Sequence, residues 1–370
     1  MALHNRKPES PEKKLPRFAA ALLALFIICA VFSCQDRKDE RSQEERPPLA
    51  SAGPEKAMAN APAPDPVGKR LMETGNYEKA ADYYRELMSQ KPGDESACIG
   101  LGRALCVTGK TEKALSVFAD CIGDHPDYSP LFVARGLCKQ ISKGDFSTPP
   151  EEDFQQAIKI DPSNSSAHNQ LGLVYQDRGD LVSAETEFRL ALAYKPDFFV
   201  ALNNLAAVLI RQGKHDEAIR LLQKAISLQP DLRGLYIYTN LGLAFLQSGR
   251  TRRAEAAFLM ETAINPQHLP AHVYLGNLYA LSGRYEEAVQ EYQRVLLTDP
   301  RNREALINQG AAFVMAGRNN LAIERLEKAV RLYPESPLAH YHLAKAYQGA
   351  GQKELSEKEM QKARELGYGQ

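Results

Sequence analysis

Eight prolines recur at near-constant spacing, Pro92, Pro126, Pro162, Pro196, Pro230, Pro266, Pro300 and Pro334, at steps of 34 or 36 residues. A period of this length belongs to a unit of two antiparallel helices, and such a unit buries its apolar face only by stacking on its neighbours. The chain is therefore expected to be an array. Its function should lie on the surface of that array, not in an enclosed pocket. Length says little about domain number here, because a solenoid of 370 residues grows simply by adding units. Lys plus Arg and Asp plus Glu balance at 46 each, so no whole-chain field draws the protein to nucleic acid.

The first segment has a different character. Arg6, Lys7, Lys13, Lys14 and Arg17 outweigh Glu9 and Glu12, and no charge then occurs from Phe18 to Ser33. Those sixteen residues reach about 24 Å as a helix, short of the ~30 Å hydrocarbon core, which suits a signal sequence better than a stable span. The run ends Val31-Phe32-Ser33-Cys34, which resembles the lipobox of bacterial exported lipoproteins. That resemblance implies a signal peptide over 1–33, lipidation at Cys34, and a membrane-anchored protein facing the periplasm. Gln35 after the cysteine would favour the outer membrane. Phe32 is bulkier than the pattern usually allows, so an uncleaved single-span anchor is the alternative, and both readings export the rest of the chain. Residues 34–65 are charged and then rich in Pro and Ala, and are expected to form a disordered tether. Asp65-Pro66 reads as a helix cap followed by a first-turn proline, opening a solenoid over 66–370.

One unit, Ser165 to Phe198, shows the pattern. Its first helix carries His168, Leu171, Gly172 and Tyr175 on one face, Gly179-Asp180 breaks it, and the second carries Ala184, Phe188 and Ala191 before stopping at Lys195-Pro196. Small residues let the two backbones approach while Tyr175 and Phe188 fill the remaining volume. The same small residue recurs as Gly68, Gly102, Gly136, Gly172, Ala206, Gly242, Gly276, Gly310 and Ala344. Its bulky partner recurs as Tyr84, Phe118, Phe154, Phe188, Leu222, Phe258, Tyr292, Leu326 and Met360.

These residues resemble the tetratricopeptide repeat family. The resemblance implies an all-α, right-handed α-solenoid of about nine helix pairs, near 61–94, 95–128, 129–164, 165–198, 199–234, 235–268, 269–302, 303–336 and 337–370. Three places depart from the pattern: two extra residues and Ser147-Thr148-Pro149-Pro150 before one second helix, two more residues within 231–234, and Glu261 at a normally small buried place. Local irregularity is expected at each. No tryptophan is present. Its usual place in the first helix is taken by Cys98, Phe132, His168, Leu202, Tyr238, His272, Leu306 and His340. The last helix, from Gln352, is polar on most faces and reads as a solubilising cap.

In this family the first helices line a concave groove. One groove offset runs Gln170, Asn204, Asn240, Tyr274, Asn308 and His342, with Asn169, Asn203, Arg211 and Asn277 beside it. An amide offers both a donor and an acceptor, so such a ladder would read the backbone of an extended polypeptide. The alternative is that these amides hydrogen-bond locally. The Lys and Asn arrangement with which chaperone-binding members clamp a C-terminal carboxylate is missing at matching offsets.

Four cysteines lie inside the array and are expected to be small buried thiols, with one bridge, Cys98 to Cys121 or Cys121 to Cys138, as the alternative in an oxidising space. The pairs His340/His342 and His268/His272 lack a completing carboxylate or cysteine, so no metal is expected. No nucleophile elbow, zinc-protease motif or phosphate loop occurs, and neither catalysis nor a cofactor is expected. The leading expectation is a membrane-tethered scaffold that binds a polypeptide segment and assists assembly of an envelope, secretion or pilus complex. The second is a non-catalytic partner of an enzyme such as a glycosyltransferase or peptidase.

Overall fold

The computed structural model describes residues 65–142, 148–228 and 235–369. Among them are eighteen α-helices in strict alternation and no strand. The first helices of successive units are α1 (Pro66–Glu73), α3 (Glu95–Val107), α5 (Ser129–Ser142), α7 (Ser165–Asp177), α9 (Phe199–Arg211), α11 (Ile237–Gln247), α13 (Leu269–Leu281), α15 (Arg303–Met315) and α17 (Pro337–Gly349). The second helices are α2 (Tyr77–Gln90), α4 (Thr111–Asp124), α6 (Pro150–Ile160), α8 (Leu181–Tyr194), α10 (His215–Leu228), α12 (Thr251–Ile264), α14 (Tyr285–Thr298), α16 (Asn319–Leu332) and α18 (Lys353–Glu365). The signal, lipidation and tether readings, with Cys34, lie outside the described residues. No described helix is long and apolar enough to cross a membrane.

Local chemistry sets the helix ends. After α7, Gly179 sits at φ 80° and donates to Gln176 while Asp180 donates to Tyr175, a left-handed stop that glycine adopts without a Cβ clash. Asp94, Asn164, Asn302 and Ser336 cap α3, α7, α15 and α17 through side-chain acceptors. Each second helix packs on its own first helix and, through α16, on the next one. First helices also touch one another directly: α3 on α5, α5 on α7, α7 on α9, α9 on α11, α13 on α15, α15 on α17. The first helices therefore form the crowded inner face, and the second helices splay on the outside. Tyr84, Phe118, Phe154, Phe188, Phe258 and Tyr292 are the largest fully buried side chains, one per unit.

The three departures resolve differently. α6 has 11 residues against 14 in α4, α8 and α10, the shortening expected from its prolines. Its Asp153, 2% exposed, is held by Arg135 at 2.6 Å and Lys139 at 2.8 Å, which compensates a charge that would be costly alone. The inserted residues within 231–234 fall outside the described residues, but α11, which follows them, starts irregularly from Tyr236 at φ 53°. Glu261 does not disturb its own helix, and α12 runs its full 14 residues. Its buried carboxylate accepts the Thr239 backbone N–H at 3.2 Å and the Asn265 side-chain amide, so it caps α11 from outside. Burial still raises its carboxyl above the usual range, and the hydrogen bonds oppose that rise.

Two disulfides staple the early units. Cys98–Cys121 joins α3 to α4, with Cα atoms 6.2 Å apart, and Cys106–Cys138 joins α3 to α5 across a unit boundary, at 5.7 Å. The free-thiol expectation and the Cys121–Cys138 alternative are both corrected: Cys121 is taken within its own unit, and Cys138 faces the last turn of α3.

Three units share a polar staple at the place a tryptophan would fill. His168 joins Glu187 at 2.7 Å and the Pro162 carbonyl at 3.0 Å, and His272 joins Glu291 at 2.6 Å and the Pro266 carbonyl at 3.1 Å. His340 does the same with Glu359 at 2.6 Å and the Pro334 carbonyl at 2.9 Å. In each, both ring nitrogens face an acceptor. The Glu187 hydrogen bond raises the His168 pKa above its ordinary 6.5, against the opposing effect of burial. Because the folded value is raised, this stabilisation is fully present below about pH 6.5 and is lost as pH rises through the folded value. In calorimetric melts from pH 6 to 8, the stability of wild type relative to His168→Leu should fall as pH rises, because only wild type carries the raised His168. An unchanged slope in the variant would contradict the staple.

Candidate functional site: the inner face of the first helices

The amide stripe divides into two halves. Asn169, Gln170, Asn203, Asn204 and Asn240 are all buried, none more than 5% exposed. Asn204 Nδ2 donates to Asn169 Oδ1 at 3.0 Å, and Asn240 Nδ2 donates to Asn203 Oδ1 at 2.9 Å. Each bond ties one unit to the next. Burial corrects the expectation that these five side chains present themselves to a partner: Asn169, Asn203, Asn204 and Asn240 pair across α7, α9 and α11 and seam the helices together. Asn204 Oδ1, Asn240 Oδ1 and Asn169 Nδ2 retain unused hydrogen-bonding capacity.

The second half opens. Tyr274, Asn308 and His342 are half-buried, and Glu304, one turn before Asn308, is exposed. Asn277, on α13, organises this region. Its Oδ1 accepts from Tyr292 Oη at 2.6 Å and from Asn308 Nδ2 at 2.9 Å, and its Nδ2 donates to Glu304 Oε1 at 3.1 Å. Tyr292 is itself a buried bulky residue of the stack, so the network is fixed from beneath. The Tyr274 ring stacks on Phe258 with centroids 5.6 Å apart, and burial raises its hydroxyl pKa.

Glu304 touches solvent, yet its carboxyl is raised, by burial first, with the Asn277 hydrogen bond opposing. The side chain as a whole is exposed, while its carboxyl end accepts the Asn277 amide. Burial lowers His342 to about 4, which keeps it neutral at ordinary pH, although the residue as a whole is only half-buried. Nearer the N-terminus, half-buried Arg211 faces Asp177, whose carboxyl is raised by burial against the attraction of Arg211. Glu304 was not singled out by the sequence reading, because it lies off the followed offset. Its available signal was position: a carboxylate in the first turn of a first helix, one unit after Asn277. No group of three His, Cys, Asp or Glu side chains placed to hold a metal occurs among the described residues.

Family models of the tetratricopeptide repeat match residues 71–134, 154–186, 197–267, 239–305 and 310–351. The chain belongs to the tetratricopeptide repeat family. Among curated relatives it is similar to Tetratricopeptide repeat protein 8 of Caenorhabditis elegans, 28% identical over 39% of this chain and 28% of that protein. It is also similar to Type IV pilus assembly protein PilF of Pseudomonas aeruginosa, 32% identical over 30% of this chain and 44% of that protein. The chain thus spans less than half the length of either relative. Among solved structures, the Cut9–Hcn1 hetero-tetramer chain superposes with a TM-score of 0.53 at 16% identity, over 79% of this chain and 57% of that one. The Pseudomonas aeruginosa pilF structure gives 0.51 at 24% identity, over 58% and 96%. At these identities the structures establish the fold alone.

The buried half of the stripe predicts its own test. Asn240→Ala removes the amide that bonds Asn203 across a unit boundary and should cost about 1–3 kcal/mol of stability. Urea unfolding measures this, and an unchanged midpoint would show that the seam contributes nothing.

Proposed function

We propose that this protein is a membrane-tethered scaffold whose inner face holds an extended segment of another polypeptide during assembly of a larger envelope complex. The observation that carries the reading is the half-open inner face over α13, α15 and α17. There Tyr274, Asn308, His342 and Glu304 reach solvent from a wall built of closely packed first helices. Such a surface combines aromatic area with fixed donors and acceptors, which suits a backbone lacking its own hydrogen-bond partners. Residues 66–370 would be the binding body, a solenoid of nine helix pairs, with Arg211 extending the face toward the N-terminus.

The compartment belongs to the same proposal. Residues 1–33 would act as an export signal and Cys34 as the lipidated anchor, with 34–65 as the tether. Two buried disulfides support an oxidising location such as the periplasm, since reducing compartments keep such thiols apart. Similarity to a pilus assembly protein supports the assembly role, and similarity to the probable UDP-N-acetylglucosamine–peptide N-acetylglucosaminyltransferase SPINDLY of Solanum lycopersicum supports the alternative of an enzyme's non-catalytic partner.

A photo-crosslinking residue placed at 308 or 342 in the full-length chain, in intact cells, should capture one envelope polypeptide through a contiguous segment. The same residue at 182, on the outer face where Val182 is 73% exposed, should not. Equal capture at 182, or none at 308 and 342, would overturn the proposal.

A further inference from the structure

Glu304 stands apart from the other charges of the inner face. Arg211 has Asp177 before it. The Arg303 guanidinium lies over the Tyr333 ring, 5.7 Å from its centroid. Lys345 lies 5.9 Å from the Tyr341 centroid and donates to Gln348. Among the described residues Glu304 has no cationic partner, and the hydrogen bond it accepts comes from Asn277 Nδ2 to Oε1. Neutral polar and aromatic groups surround it: Tyr274, Asn277, Asn308 and Tyr292, with no second carboxylate among them.

The arrangement is built rather than incidental. Buried Tyr292 fixes Asn277, Asn277 fixes Asn308 and Glu304, and the carboxylate is thereby held in one orientation before anything binds. A partly enclosed carboxylate lacking a counter-charge gains more from a cation than an exposed one does, because surrounding protein replaces screening water. The first turn of α15 further suits the anionic form. Tyr274 offers an aromatic surface beside the carboxylate for an aliphatic stem or a planar guanidinium.

We propose that Glu304 is the specificity-determining residue of the groove, the receptor for a lysine or arginine side chain of the bound polypeptide. This rests on the groove being a polypeptide site, and adds the chemistry of one residue in the partner. Charge complementarity commits the occupant to a segment carrying a basic residue at a fixed register, with the neighbouring backbone laid along Asn308 and His342.

The test is display selection of a random peptide library on the intact protein, with the crosslinking residue at 308 confirming where binders sit. Wild-type binders should share Lys or Arg at one register position, and Glu304→Gln should weaken them about tenfold. Selection on Glu304→Lys should instead yield Asp or Glu at that position. Glu304→Gln retains an acceptor for Asn277, so its melting temperature should match wild type. Groove binders without a fixed basic residue, or binders indifferent to Glu304→Lys, would overturn this inference and leave the polypeptide groove standing. Failure to recover any binder at 308 would overturn both.

Discussion

The whole stack depends on one contact, the bulky residue of a second helix set against a glycine of its first helix. A Cβ placed on Gly172 would lie 2.7 Å from Phe188, one on Gly276 2.7 Å from Tyr292, and one on Gly242 2.5 Å from Phe258. Carbon atoms do not approach so closely, so any larger residue must push the two helices apart. Each displaced pair would also misplace the next, since a unit has no core without its neighbours. Where the sequence has Ala206 at this place, its partner in the second helix is Leu222.

Close approach of first helices then decides the fate of the polar side chains between them. In α7, α9 and α11 the amides are sealed and pair across unit boundaries. In α13 and α15 an amide fixed by Tyr292 leads outward to Glu304. The same stripe is closed in one half of the array and open to solvent in the other. The outer second helices carry exposed apolar residues such as Val182 and Leu297, but these are scattered singly and ask for no special explanation.

Much of the architecture was legible because the period, the glycine and its bulky partner report covalent spacing and volume directly. The groove was less legible. Periodicity identifies which residues share an offset, but not which of them the neighbouring helices cover, and Asn204 is buried while Asn308 stays half-open. Contacts across a helical hairpin also escape a 3.6-residue pattern. His168, His272 and His340 each meet a glutamate 19 residues later, whereas Leu202 has Leu221 at the same step. The covariation was in the sequence and became readable only once the hairpin was built. Glu261 is similar: it is anomalous for its own helix and explained by the neighbouring α11, which starts after an insertion.

The central claim is that the inner face of the first helices, over its C-terminal half, is the binding surface. Hydrogen–deuterium exchange of the full chain, free and bound to the polypeptide segment captured at 308, addresses it most directly. The account predicts new protection in α13, α15 and α17, with α14, α16 and α18 little changed. Protection confined to the second helices would contradict it.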